Sequence, residues 1–99
     1  MLAPPVKAPP ERSFTVRLHF AEIDDFKAGR RVFNVAVQGK TVLEGLDIVR
    51  ETGGKNKALV KEFNGVEASD QIVIDLTSED ETSGGEPPVI CGVEVVQEN

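Results

Sequence analysis

The chain has 99 residues, 39% hydrophobic and 28% charged, with a formal net charge of −6. That length holds one domain with a small core, and that composition belongs to a globular rather than a disordered chain. The acidic balance argues against a nucleic-acid partner, which needs Lys and Arg gathered on one face, and no run of about 18 apolar residues is present to span a membrane.

Four of the six prolines, Pro4, Pro5, Pro9 and Pro10, precede Glu11. Residues 1–12 therefore read as a Pro-rich linker or tail in extended conformation. The stretch "MLAPPVKAPPERS" lacks the apolar segment of about 7–15 residues that marks a signal peptide. The folded part is expected over residues 13–97.

"FTVRLHF" alternates, with Phe14, Val16, Leu18 and Phe20 on one face and Thr15, Arg17 and His19 on the other. Phe33, Val35 and Val37 repeat the pattern. "QGK" is a tight turn into "TVLEGLDIV". A short helical turn is expected near residues 46–52, with Asp47 placed to accept backbone N–H bonds at its start and Gly53 and Gly54 ending it. "ALVKEF", "QIVIDL" and "PVICGVEVV" supply three further strands. Short strands separated by turn signals describe an all-β, antiparallel sandwich or barrel. The apolar phases predict a core of Phe14, Val16, Leu18, Phe20, Phe33, Val35, Val37, Ile72, Ile74, Val93 and Val95. Cys91, the single cysteine, excludes an internal disulfide and reads as a small buried hydrophobe.

Chemistry concentrates in the loop "AEIDDFKAG" between the first two strands. Glu22, Asp24 and Asp25 are hydrogen-bond acceptors, but their spacing fits no EF-hand loop, so no metal site is expected. A second acidic loop, "TSEDETSGGE", can approach the first across one end of a sandwich; a solvated pair of charged loops is the plainer reading. His19 has no sequence-adjacent nucleophile and reads as a solvated strand histidine. "TGGKNK" lacks the strand–loop–helix setting and the ending of a phosphate loop. Nothing in the chain assembles an enzyme or implies a cofactor.

"FTVRLHFAE", then "AGRRVFNVAVQGKTVLEGLDIVRETGGKNKALVKEF", then "PPVICGVEVV", resemble the malectin and malectin-like domain family in order and spacing, from about Phe14 to Val96. The resemblance implies a jelly-roll-like β-sandwich and a non-catalytic glycan-binding module of a larger extracytoplasmic protein, at a cell surface, in a periplasm or secreted. A sugar would be contacted by Glu22, Asp24, Asp25 and Phe26, the carboxylates fixing hydroxyls and the ring stacking on the pyranose. The competing reading is a structural or protein-interaction module without a sugar site, which the lack of Trp and Tyr favours. The family's early strands have no counterpart here, so the resemblance also implies an open sheet edge and self-association through it, opposed at low salt by the net charge.

Overall fold

The computed structural model describes residues 10–79 and 86–98. Six strands and one helix follow in chain order: β1 (Arg12–Phe20), β2 (Phe33–Val37), β3 (Lys40–Leu46), α1 (Ile48–Thr52), β4 (Leu59–Ala68), β5 (Ile74–Ser78) and β6 (Gly92–Gln97). They form two three-stranded antiparallel sheets, β4-β1-β6 and β3-β2-β5. The most apolar alternating strand is central in each sheet, where it is covered on both sides.

The sandwich interior is built from the two central strands. Val16, Leu18 and Phe20 of β1 meet Phe33 and Val35 of β2, with Leu46 and Ile48 closing one end. The rings of Phe20 and Phe33 pack with their centroids 5.8 Å apart, tilted by 54°. On the outer face of the β1 sheet, Arg17 pairs with Glu62 at 2.6 Å and His19 meets Glu94. Such solvated pairs contribute little to stability.

Two local devices set the geometry. Gln38 and Gly39 both take positive φ, 52° and 79°, the two-residue hairpin turn that matches strand twist. The Gln38 side chain then reaches away from the turn. Its amide donates to the carbonyls of Glu67 and Gln71 at 3.0 and 3.1 Å, and its oxygen accepts from the Val73 amide at 2.7 Å. This fastens the chain segment that crosses from one sheet to the other. Asp47 is extended, accepts from the Arg50 amide at 3.2 Å and starts α1, which Gly53 ends in the left-handed region.

Four expectations need correction. Val93 and Val95 lie on the predicted inward phase, opposite Leu18 and Val16, yet each is 46% exposed because β6 is an edge strand whose inner face the second sheet does not cover. Phe14, Ile72 and Ile74 are only half-buried, Phe14 near the start of β1 and Ile72 and Ile74 just before and at the start of the edge strand β5. Cys91 is exposed, just before β6, its amide donating to the His19 carbonyl. The strand expected at "QIVIDL" begins only at Ile74, because the Gln71 carbonyl and the Val73 amide are bound by Gln38. Of the Pro-rich segment, residues 1–9 lie outside the described residues, and Arg12 already belongs to β1. Residues 80–85 of the second acidic loop lie outside them as well.

Candidate functional site

The loop from Ala21 to Val32 joins the central strands of the two sheets at one end of the sandwich. The inward phase of β1 runs Val16, Leu18, Phe20, and its next member is Glu22, 1% exposed. The inward phase of β2 extends backwards from Phe33 to Arg31, 7% exposed. These two phases bring a carboxylate and a guanidinium together at the end of the core.

Arg31 uses all three nitrogens. Nε donates to Glu22 Oε1 at 2.9 Å, Nη2 to Asp24 Oδ2 at 3.0 Å, and Nη1 to the Pro87 carbonyl. The other oxygen of Glu22 accepts from the Asp24 amide at 3.2 Å, while the Glu22 carbonyl accepts from the Asn56 amide at 2.7 Å. A buried ion pair is tolerable only when its remaining polar atoms are satisfied. That condition is met: among the described residues, no buried side-chain nitrogen or oxygen lacks a partner. The cluster thereby ties four chain segments together.

The outer half of the loop is shaped differently. Gly29 has φ +90°, and its amide donates to Asp47 Oδ2 at 2.6 Å, so the residue that caps α1 also anchors this turn. Phe26 is half-buried, with the guanidinium carbons of Arg30 and Arg31 at 5.3 and 5.0 Å from its ring centroid. Arg30 also pairs with Glu86 at 3.1 Å, so the second acidic loop does approach the first. Asp25 is solvated and lies 3.6 Å from Lys55. Residues Asp25 to Arg30 enclose an open hollow of about 460 Å³.

Of the four candidate ligand residues, Asp25 and Phe26 border this hollow. Glu22 lies beneath it with its carboxylate fully engaged, and Asp24 shares Arg31. The sequence reading missed Arg30 and Arg31. A signal for Arg31 was present: carrying the period-two pattern of β2 back two residues points it inward, where a cation requires a buried acid. Among the described residues, no group of three or more His, Cys, Asp or Glu side chains is arranged to hold a metal ion.

Comparison with known proteins agrees with this architecture. The ANX2 ectodomain of Arabidopsis thaliana superposes on 86% of this chain and 24% of its own, with a TM-score of 0.56 and 23% identity. Receptor-like protein 4 of A. thaliana is 47% identical over 53 residues, which is 52% of this chain and 8% of that protein. A probable leucine-rich repeat receptor-like serine/threonine-protein kinase of the same plant is 40% identical over 58 residues, 52% of this chain and 6% of its own. The chain thus spans less than a tenth of either relative. The Malectin domain family matches residues 6–91, nearly the whole length, and the chain belongs to that family.

Proposed function

We propose that this chain is a non-catalytic recognition module of a larger extracytoplasmic protein, and that it binds carbohydrate at the hollow bordered by Asp25 to Arg30. The observation that carries the reading is the division of labour within the loop. Arg31 binds both Glu22 and Asp24 and holds the loop, leaving Asp25, Lys27 and Arg30 as exposed polar side chains around an open concavity. Polar groups converging on a preformed concave surface suit a ligand rich in hydroxyls. In this reading Asp25 accepts from sugar hydroxyls and Phe26 supplies apolar contact, while Glu22 and Asp24 position the loop.

The test is titration of the ¹⁵N-labelled chain with a panel of oligosaccharides. Shifts confined to amides of the Asp25–Arg30 loop, removed by Asp25→Ala, are the expected result. No shift at about 10 mM saccharide would overturn the sugar reading, since that concentration detects even affinities near a millimolar Kd.

A second reading, a protein-interaction module, is favoured by the ring of Phe26. Two guanidinium groups already lie within stacking distance of it, and the chain has neither Trp nor Tyr to offer instead. A chain that ignores every saccharide would leave this second reading in place.

A further inference from the structure

The chain contains one asparagine followed by a glycine, Asn64-Gly65, and both lie within β4. Along the β1–β4 ladder Phe14 faces Val66 and Val16 faces Phe63, so Thr15 alone opposes both Asn64 and Gly65. This is a β-bulge, with Gly65 at φ +67° in the left-handed region that bulge glycines adopt. Both residues are exposed and border an open hollow of about 620 Å³. Nothing stands within 4 Å of where a Cβ on Gly65 would lie.

At the bulge the backbone meets side chains instead of a facing strand. The Gly65 amide donates to Glu98 Oε2 at 2.9 Å, and Glu98 is itself fixed by its own amide, which donates to the Ser13 carbonyl at 2.8 Å. The Thr15 hydroxyl lies 3.0 Å from Asn64 Oδ1 and 2.9 Å from the same Glu98 oxygen, so two acceptors compete for its one proton. A carboxylate therefore holds the backbone N–H that follows Asn64, and a hydroxyl faces the oxygen of the Asn64 amide. Those are a base for a nucleophile and a donor for an oxyanion.

We infer that Asn64 is a self-modification site, at which the Gly65 nitrogen closes on the Asn64 side-chain carbon and the amide is lost as ammonia. The Gly65 nitrogen gives its proton to Glu98 and forms a bond to Asn64 Cγ. Once protonated, Glu98 no longer competes for the Thr15 hydroxyl, which turns to Oδ1 as that oxygen gains negative charge. Collapse then breaks the Cγ–Nδ2 bond, and the proton held by Glu98 leaves on the departing nitrogen as ammonia. Water, which reaches the site from the open hollow, hydrolyses the five-membered imide. Attack at Cγ gives aspartate, and attack at the main-chain carbonyl gives isoaspartate, whose backbone is one methylene longer. A side chain at residue 65 would crowd the ring, which sets this pair apart from Asn34 before Val35 and Asn56 before Lys57. The reaction is intramolecular, so held geometry supplies what an encounter between two reactants would otherwise cost. Either product sets a new carboxylate near Glu98, and isoaspartate lengthens β4 within its ladder. The inference is independent of the sugar reading.

Intact mass and peptide mapping of the full 99-residue chain, held in neutral buffer at physiological temperature, test this. The expected result is conversion of amide to carboxyl at residue 64, as aspartyl and isoaspartyl products, ahead of every other asparagine. Glu98→Gln removes the base and slows the conversion about tenfold. Thr15→Val keeps the branched shape, removes the donor and slows it severalfold. Circular dichroism melts confirm that both variants are folded. If the two contacts only lock the Asn64 side chain and the Gly65 amide in place, both variants convert faster than wild type. A rate unchanged or raised in either variant, or conversion that begins at another asparagine, would overturn the assignment.

Discussion

The loop end of the sandwich and its β6 flank are extensions of the same alternating pattern, and they end in opposite conditions. At the loop end, the inward phase of β1 passes from Phe20 to Glu22, and a charge enters the interior because Arg31 meets it there. At the β6 flank, the inward phase consists of valines, and they remain half-exposed because nothing among the described residues lies opposite. Alternation decides which way a side chain points. Whether it ends up buried depends on what the other sheet brings to that place.

The largest effect that would break this contrast belongs to the loop end. Arg31→Met leaves Glu22 buried without its cation and is expected to cost about 3–5 kcal/mol, enough to unfold much of a chain this small. Glu22→Gln keeps a hydrogen-bond acceptor toward Arg31 and should cost less. Urea midpoints that rank the two in the reverse order would mean that the pair is not the keystone of the loop.

The two ends of one cross-strand row offer the next comparison. Val16 and Val95 are register partners in β1 and β6, fully buried and 46% exposed respectively. Val16→Ala is expected to cost about 2 kcal/mol, and Val95→Ala less than about 1 kcal/mol. Both are measured by urea denaturation. Equal costs would show that the β6 flank is covered in solution.

Asp47→Ala sharpens the loop side. It removes the α1 cap and the anchor of the Gly29 amide together, for an expected cost of about 1–2 kcal/mol. Faster hydrogen exchange should appear at both Arg50 and Gly29. Acceleration at Arg50 alone would separate the helix from the loop.

The smallest effect is a pH dependence close to the β6 flank. The Gly65 amide, and then the Thr15 hydroxyl, hold the Glu98 carboxyl below its ordinary pKa. A carboxyl with a depressed folded pKa stabilises the fold above its ordinary value and loses that contribution as pH falls through the depressed one. Wild type should therefore melt slightly above Glu98→Gln at about pH 7, with the gap narrowing as pH falls below the ordinary carboxyl range and through the depressed value. A gap independent of pH would show that the strap from Glu98 to Gly65 is not formed through the carboxylate.

Much of the fold was legible in the residues alone. Period-two alternation marked β1, β2, β5 and β6 and the inward faces of β1 and β2, because strand geometry sends neighbouring side chains to opposite faces. Turn chemistry at "QGK" led into β3, and the run "ALVKEF" marked only the first part of β4, which continues to Ala68. Asp47 followed by an apolar step and closing glycines marked the short helix, since capping chemistry is local. Bounds were less legible: β5 begins three residues late because Gln38, from a distant turn, binds the backbone that would have extended it.

The site divides along the same line. That the loop after β1 carries charge and one ring was plain from its composition. That Glu22 and Asp24 each give one oxygen to Arg31, that Phe26 lies against two guanidinium groups, and that Asp47 holds Gly29 required the sheets to be stacked. The sequence by itself determined the local terms, namely strand periodicity, turn conformation, helix capping and net charge, each decided by neighbours within a few residues. Only the tertiary structure decided which carboxylate meets which cation and which apolar face stays open. Those outcomes depend on pairs as far apart in the chain as Val16 and Val95, whose distance and cover are set by the register of one strand and the reach of the opposing sheet.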